Sequence, residues 1–368
     1  MGENIETFLA QLGNRVDEQT GAVSAPIHLS TTYSHPKFGQ STGFDYTRTK
    51  NPTRAILEEG LAKLEEGVQA IVTSSGMSAI QLVFQLFPAG SAFLVSRDLY
   101  GGSYRYFKEI ERQGIAKFLY FDTEEELAAQ ITENISAVFI ETPTNPLMRE
   151  VSIKRVAEIA KSKGALTIVD NTFLTPLRQK PLTQGADLVV HSATKFLAGH
   201  NDILAGVVVA KTQELGERLL YLANTTGPTL AAFDCWLFIR SLKTLPLRFN
   251  QQEKNAKIVV EVLQNHPAVK EVFYPGVGVG AMVSFKIADE SKVGPFLEQL
   301  KLFTYAESLG GVESLITYPT TQTHADIPEA ERLAYGLTPD LLRLSIGIED
   351  ADDLAADLTQ GLSIVTRK

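Results

Sequence analysis

The chain has 368 residues, of which 44% are hydrophobic, so it is long enough to bury a large core and to form two domains. A formal net charge of −9 argues against nucleic acid or an anionic membrane as a partner, since no basic segment offsets the acidic balance. The single cysteine excludes an internal disulfide framework, and the six histidines form none of the i,i+4 pairs or clusters that are typical of a dedicated metal site.

The first 45 residues lack the pattern of a folded domain. They begin with a polar, acidic stretch rather than the cationic start and apolar segment of a signal peptide, and no run in the chain approaches 18 apolar residues. We therefore expect a cytoplasmic protein. Because residues 1–45 are rich in Thr, Ser and Gly and carry little helical periodicity, we interpret them as an arm that packs on another surface.

From about residue 46, apolar runs and helical patterns alternate. Residues 54–66 place Ile56, Leu57, Leu61 and Leu64 on one helical face. Seven apolar runs, which we interpret as strands, cover residues 70–73, 92–95, 117–121, 137–140, 165–169, 187–190 and 205–209. Continuous apolar strands separated by helices predict an α/β fold with a mostly parallel, seven-stranded sheet covered on both faces, in a large domain over residues 46–233.

The pattern changes after about residue 233. Residues 271–274, 281–287 and 342–348 alternate more between apolar and polar side chains, which is typical of antiparallel strands with one buried face. We predict a smaller C-terminal α/β domain over residues 234–368. A glycine-rich stretch at 276–280 precedes a strand rather than a helix, which is the wrong context for a dinucleotide fingerprint, so we interpret it as a turn.

The first predicted strand leads into a turn of small residues, Thr73-Ser-Ser-Gly-Met-Ser-Ala-Ile80, and then into a helical segment. Free backbone N–H groups, the helix dipole and serine hydroxyls favour an anion at such a helix N-terminus. Ser75, Gly76 and Met77 are therefore candidates for binding a phosphate. Serine and glycine are also ordinary N-cap residues, so the turn alone does not decide between the two interpretations.

Two further candidates follow the next predicted strands. Tyr100 comes before two glycines, and its ring can either lie flat over a planar cofactor or pack in the core. Asn145, in Glu141-Thr-Pro-Thr-Asn-Pro146, can hydrogen-bond a cofactor oxygen or a substrate carboxylate, although Asn-Pro is also an ordinary turn.

A carboxylate and an amine follow two neighbouring strands. Asp170 ends the apolar run 165–169, and Lys195 follows the run 187–190 within His191-Ser-Ala-Thr-Lys195. Parallel strands present these groups at the same carboxyl edge, where α/β proteins build their sites. Pyridoxal phosphate needs this pair, a lysine to form the Schiff base and an acid to keep the pyridine nitrogen protonated. Together with the phosphate-type turn, the pair predicts a pyridoxal-phosphate enzyme.

Arg343 lies within the apolar run Leu341-Leu-Arg-Leu-Ser345. A buried charge is costly unless it is paired, and a substrate carboxylate bound in a bidentate manner would suit the guanidinium. An internal salt bridge is the alternative, and the sequence leaves both open.

Seven motifs of the chain resemble those of the Cys/Met-metabolism (transsulfuration) PLP enzymes, which include cystathionine γ-synthase, cystathionine γ-lyase and O-acylhomoserine thiolyases. The motifs are Asp45 to Arg54, Ser75 to Met77, Tyr100 to Gly102, Glu141 to Pro146, Val169 to Phe173, His191 to Lys195 and Glu307 to Ser314. They occur in the right order over nearly the whole chain. The resemblance implies an aminotransferase-like fold of type I and a homotetramer of close dimers, in which the arm reaches the neighbouring subunit.

The resemblance also implies roles for single residues. Lys195 would form the Schiff base, Asp170 would bind the pyridinium nitrogen, and Tyr100 would stack on the ring and assist proton transfer. The phosphate would be bound by Ser75, Gly76, Met77, Ser192 and Thr194, and Tyr46 and Arg48 would reach the phosphate of the neighbouring subunit. The substrate would be bound by Asn145, Glu313, Ser314 and Arg343.

The expected activity is γ-replacement on an O-acylhomoserine by cysteine or sulfide. Between Tyr274 and the strand at 281–287 the chain lacks a longer connection that many members carry, and in this it is most similar to the short Gram-positive-type γ-synthase/O-acetylhomoserine thiolyase enzymes. A γ-lyase that performs α,γ-elimination on cystathionine is the alternative, because the same lysine, aspartate and arginine serve both directions. Glu313 stands where β-lyases tend to carry an aromatic residue, which disfavours a β-lyase.

Overall fold

A computed structural model describes residues 4–366, and the chain begins there with a helix that the sequence analysis missed. This helix, α1, spans Ile5–Gln11, and its Leu9 side chain is fully buried in the core of the large sheet. Leu12 packs against Gly60 of α2, which spans Pro52–Leu64 and confirms the predicted helix. The apolar residues of α1 do recur at helical spacing, but over too short a length to stand out.

The predicted seven-stranded sheet is confirmed within the described residues. Its strands are Gln69–Thr73 (β1), Ser91–Ser96 (β2), Ala116–Phe121 (β3), Ile135–Glu141 (β4), Leu166–Asp170 (β5), Leu188–Ser192 (β6) and Gly206–Ala210 (β7). Their order is β1-β7-β6-β5-β4-β2-β3. Neighbouring strands are parallel except that β7 runs antiparallel to β1 and β6.

Helices cover both faces of this sheet and create a core on each side. They span Gly76–Phe84 (α3), Gly101–Arg112 (α4), Glu124–Gln130 (α5), Ile153–Lys161 (α6), Thr175–Arg178 (α7) and Gln213–Thr226 (α8). Val138 and Ile140 of β4 enter one core, whereas Ala137 and Phe139 enter the other. Successive side chains of a strand alternate between faces, so two buried faces require the continuous apolar runs seen in the sequence.

The C-terminal part forms a second, mainly antiparallel sheet. Its strands are Val269–Phe273 (β8), Met282–Ile287 (β9), Thr304–Tyr305 (β10), Leu315–Thr317 (β11) and Leu341–Ser345 (β12), in the order β10-β11-β12-β9-β8. The accompanying helices are Ala232–Leu242 (α9), Leu245–Gln264 (α10), Val293–Gln299 (α11), Glu329–Tyr335 (α12) and Ala351–Thr366 (α13). Phe238 of α9 still packs in a core of the large sheet, whereas Phe249 of α10 packs in the core of the second sheet. The domain boundaries given above stay a prediction.

Within residues 4–366, no helix is both long and apolar enough to cross a membrane. The same residues contain no group of three or more His, Cys, Asp or Glu side chains placed to hold a metal ion. Cys235 lies in α9 and is fully buried, and this burial raises the pKa of its thiol. The thiol is therefore protonated, and such a buried cysteine is structural rather than reactive.

Candidate active site

The residues that follow β4, β5 and β6 meet at one edge of the large sheet. Glu141 at the end of β4 pairs in register with Asp170 at the end of β5, which pairs with Val190 of β6. Lys195 lies in the turn after β6. The side chains of Glu141, Asp170 and Lys195 line a cavity of about 310 Å³. The other predicted site residues on its wall are Ser75, Gly76, Met77, Tyr100, Asn145, Ser192, Thr194 and Arg343.

The N-terminus of α3 forms a cradle on one side of the cavity. Ser75 is the N-cap residue, and its Oγ accepts a hydrogen bond from the N–H of Ser78 at 3.0 Å. A Cβ added at Gly76 would lie 2.8 Å from Cβ and 2.9 Å from Cα of Ser192, so only glycine lets α3 start this close to β6. Backbone N–H groups at the start of a helix favour an anion, and the cradle therefore suits a phosphate.

Tyr100 stands at the start of α4, beside the cavity. Its backbone N–H donates to Oε2 of Glu141 at 2.9 Å, and its side chain is 38% exposed. Side chains at the next two positions would collide with their surroundings, because a Cβ at Gly101 would overlap the carbonyl of Thr323 and one at Gly102 would overlap the Tyr100 ring. Gly102 thus leaves room for the Tyr100 ring beside the cavity, and Gly101 lets the start of α4 pack against Thr323.

Asp170 and Glu141 form a buried pair of carboxyl groups. Oδ1 of Asp170 accepts two hydrogen bonds from Thr172, one from its N–H at 3.0 Å and one from its hydroxyl at 2.5 Å. Burial raises the pKa of Asp170, and these two bonds oppose the rise. Burial and the neighbouring Asp170 carboxylate raise the pKa of Glu141 well above its usual range. Asp170 accepts two hydrogen bonds and Glu141 accepts one, so this pair holds a negative charge better on Asp170 than on Glu141.

The amine of Lys195 is held by a residue that the sequence analysis did not select. Its Nζ donates a hydrogen bond to Oγ of Ser308 at 2.8 Å. Burial, and then the nearby charge of Arg343, lower the pKa of the Lys195 amine to about 8. A lysine in these surroundings exchanges protons readily near neutral pH.

Arg343 of β12 enters the cavity from the second sheet and is 1% exposed. Its Nη1 donates to Oδ1 of Asn145 at 2.8 Å, and its Nη2 donates to the Ser308 carbonyl at 3.0 Å and to the Thr317 hydroxyl at 3.1 Å. Burial lowers the pKa of Arg343 to about 10, so it remains charged at neutral pH. All these partners are neutral, and its Nε is buried without a hydrogen-bond partner. Within the described residues Arg343 forms no salt bridge, and the carboxyl groups of Glu141 and Glu307 act on its charge without a direct ion pair. A buried cation with a free N–H therefore suits a carboxylate ligand better than the internal salt bridge considered above.

Two of the predicted substrate-binding residues, Glu313 and Ser314, do not line the cavity of this chain, and their role at the substrate stays a prediction. Ser314 is fully buried, and its hydroxyl donates to Oε2 of Glu349 at 2.9 Å. Glu313 is exposed and accepts a hydrogen bond from Asn201 at 2.8 Å. The segment from 307 to 314 contains the pair Glu-Ser twice, and the structure places the first pair, Glu307 and Ser308, on the cavity wall.

Tyr46 and Arg48 lie on the surface of the chain and not on the cavity wall. The Arg48 guanidinium lies 5.6 Å from the Tyr46 ring centroid, and its Nη1 donates to Oδ1 of Asn224 at 3.0 Å. Both side chains are exposed. Their role at the phosphate of a neighbouring subunit stays a prediction.

Comparisons with known proteins agree with this geometry. Residues 6–363 match the family described as Cys/Met metabolism PLP-dependent enzyme. The chain is 53% identical over 362 residues to cystathionine gamma-synthase of Haemophilus influenzae, which covers 98% of both chains. It is 53% identical over 365 residues to cystathionine gamma-synthase/O-acetylhomoserine (thiol)-lyase of Bacillus subtilis, covering 98% of this chain and 97% of that protein. The solved structure of cystathionine gamma synthase from Xanthomonas oryzae pv. oryzae in complex with cystathionine has a TM-score of 0.97 at 43% identity, covering 99% of each chain.

Proposed function

The chain belongs to the Cys/Met metabolism PLP-dependent enzyme family, and we propose that it catalyses γ-replacement on an O-acylhomoserine. The acceptor is the thiol of cysteine, which gives cystathionine, or sulfide, which gives homocysteine. Both relatives at 53% identity carry names that describe this activity. The observation in the site that supports an amino-acid substrate is the buried Arg343 beside Lys195, whose Nε–H has no hydrogen-bond partner.

The residues around the cavity fit pyridoxal phosphate. Lys195 would hold its aldehyde carbon covalently, and the charged Asp170 would bind the ring nitrogen. The phosphate would be held by Ser75, Gly76, Met77, Ser192 and Thr194, and Tyr100 would stack on the ring. When bound, the cofactor supplies an electron-withdrawing ring that stabilises negative charge on the substrate carbon.

Arg343 orients the substrate. Its free Nε–H and its charge bind the α-carboxylate, while Nη1 holds the side chain of Asn145 at the same place. The α-carbon is thereby fixed on the side of the cavity where Ser308 holds the Lys195 amine. Fixing the two reacting groups in one geometry removes much of the entropic cost of their encounter.

Lys195 moves the protons. Its amine takes a proton from the α-carbon of the substrate and then one from the β-carbon, so that the acyl group can leave from the γ-carbon as its carboxylate. A thiolate then adds at the γ-carbon, and protons return to the β-carbon and the α-carbon. The pKa of about 8, caused mainly by burial, makes both the neutral and the protonated amine accessible near neutral pH. Ser308 contacts both Lys195 and Arg343, so one residue positions the base relative to the carboxylate anchor.

Product analysis tests the direction of the reaction. The protein is incubated with O-acetyl- or O-succinylhomoserine plus cysteine, and separately with cystathionine alone. We expect cystathionine from the first mixture and no keto acid from the second, with Lys195→Ala inactive in both. Formation of 2-oxobutanoate from cystathionine alone would identify a γ-lyase, and formation of pyruvate would identify a β-lyase. The pyruvate assay tests the expectation from Glu313 that the enzyme is not a β-lyase.

We further propose a cytoplasmic homotetramer of close dimers in which Tyr46 and Arg48 complete the phosphate site of the neighbouring subunit. The exposed position of both side chains supports this proposal. An Arg48→Ala protein and a Lys195→Ala protein, each impaired alone, should regain activity when mixed, because one site of each hybrid dimer then has both residues intact. Verified hybrid dimers without recovery would contradict a shared site.

A further inference from the structure

His324 connects three segments of the chain beneath the active site. It is fully buried, and its Nε2 lies 3.0 Å from the carbonyl oxygen of Asn145 and 3.3 Å from that of Leu99. Its Nδ1 lies 2.8 Å from the hydroxyl oxygen of Thr323. Carbonyl oxygens only accept hydrogen bonds, so Nε2 carries the proton and donates to both, and Nδ1 accepts from the Thr323 hydroxyl.

The two carbonyls belong to the segments that carry candidate site residues. Leu99 directly precedes Tyr100, whose ring faces the cavity, and the side chain of Asn145 accepts the hydrogen bond of Arg343. Thr323 itself lines the cavity, and its carbonyl packs so closely on Gly101 that no side chain fits there. The contact between His324 and the loop after β2 is therefore tight as well as hydrogen-bonded.

The imidazole keeps this arrangement at neutral pH because it stays neutral. Burial, and then the charge of Arg343, lower the pKa of His324 to about 4. A neutral imidazole with the proton on Nε2 is the only form that donates to both carbonyls and accepts from Thr323 at once.

We propose that His324 is a positioning residue that sets the place of Tyr100 relative to the Asn145–Arg343 pair. Its hydrogen bond to the Leu99 carbonyl aligns the ring of Tyr100. Its hydrogen bond to the Asn145 carbonyl aligns the Asn145–Arg343 pair, which anchors the substrate carboxylate. It touches neither substrate nor cofactor itself. The inference rests on the roles proposed above for Tyr100, Asn145 and Arg343.

Three variants of the full-length holoenzyme test the proposal: His324→Leu, His324→Asn and His324→Gln. The amide nitrogen of glutamine extends about as far as Nε2, whereas that of asparagine reaches only the position of Nδ1. We expect His324→Leu and His324→Asn to change the visible circular dichroism of the bound cofactor and to raise KM for the amino-acid substrate roughly 5- to 30-fold, more than they lower kcat. His324→Gln should retain the wild-type dichroism and a KM within about threefold of wild type.

Asn255→Leu is the matched control. Asn255 is also fully buried and also donates to two carbonyls, those of Gly347 at 3.1 Å and Glu349 at 2.7 Å, but it does not line the cavity. The Asn255→Leu variant should lower the midpoint of thermal unfolding as His324→Leu does, while leaving the cofactor dichroism and KM unchanged. If His324→Leu behaves like this control, or if the asparagine and glutamine variants are indistinguishable, His324 has only a structural role and the proposal is overturned.

The dichroism separates a failure of this proposal from a failure of the proposed function. It is recorded on the bound cofactor before any substrate is added, so it reports the placement of Tyr100 whichever reaction the enzyme catalyses. A protein that makes no cystathionine but shows the expected order of the three variants would contradict the γ-replacement and support the role of His324.

Discussion

The free amine of Lys195 should titrate near pH 8, far below a lysine in water. Burial is the main cause of the lowered pKa, and the charge of Arg343 adds to it. A change in pKa from 10.5 to about 8 raises the neutral fraction of the amine at pH 7.5 from about 0.1% to about 24%, roughly 200-fold. Only the neutral amine attacks an aldehyde, so this difference determines how fast the protein captures its cofactor.

The experiment uses protein from which the cofactor has been removed. It is mixed with pyridoxal, which lacks the phosphate and so does not engage the cradle at α3, and absorbance is followed by stopped flow over a pH series from about 6 to about 10. Because the reactive form is the unprotonated one, the rate should rise with pH and level off above about 8. Lys195→Ala gives the background rate.

Two charged residues near Lys195 shift the pKa of its amine in opposite directions. Arg343 lowers the pKa of Lys195 and Glu307 raises it. Arg343→Met should therefore move the midpoint to higher pH, and Glu307→Gln should move it to lower pH by a smaller amount, because Glu307 is exposed. Glu313→Gln, an exposed carboxylate outside the cavity, is the matched control and should leave the midpoint unchanged. A wild-type midpoint near 10 that does not respond to Arg343→Met would refute the reasoning.

Three further substitutions address the cradle, the ring nitrogen and the core. Gly76→Ala should weaken binding of pyridoxal phosphate at least about tenfold in a fluorescence titration, because the new Cβ would lie 2.8 Å from Cβ of Ser192. Asp170→Asn should lower kcat at least about 100-fold, since an amide cannot stabilise a protonated ring nitrogen, and the absorbance band of the bound cofactor should shift with it. Glu65→Leu should lower the free energy of unfolding in urea by about 3 kcal/mol, because it leaves the buried His191 without its 2.5 Å partner.

The controls for these substitutions lie elsewhere in the chain. Gly294→Ala places a Cβ where no atom lies within 4 Å apart from its chain neighbours and the backbone of its own helix, so cofactor binding should be unchanged. Lys163→Ala breaks an exposed ion pair with Glu133 and should barely move the urea midpoint. Equal effects of Gly76→Ala and Gly294→Ala, or of Glu65→Leu and Lys163→Ala, would contradict the interpretation of the site and of the core.

The large sheet could be predicted from the sequence because its strands are buried on both faces. Strands buried on both faces read as continuous apolar runs, as β4 does, and each of the seven predicted runs lies within two residues of an observed strand. The strands β10 and β11 were missed because they have two and three residues, too few to show a period. Helix α1 was missed for the same reason, since it has only seven residues.

The site was predictable only in part, and the reason is again physical. Lys195 and Asp170 follow recognisable strands, so topology alone places them at one edge. The contact of Lys195 with Ser308 joins residues 113 positions apart, and that of His324 with Asn145 joins residues 179 apart. No local pattern encodes such contacts. The repeated Glu-Ser pair is an example of what local sequence cannot predict. Both copies have the same local sequence, and only the fold distinguishes Ser308 from Ser314.

The charge of Arg343 acts on two successive steps through the same lysine. In addition to burial, the charge of Arg343 lowers the pKa of Lys195, which favours the neutral amine that captures the cofactor. A carboxylate bound at Arg343 cancels that charge, so the pKa of the freed amine rises and Lys195 becomes a stronger base when a substrate is present. Acetate should therefore move the midpoint of the pyridoxal reaction to higher pH in the wild-type protein and should have no effect on Arg343→Met. An equal response of both proteins would show that the carboxylate binds elsewhere.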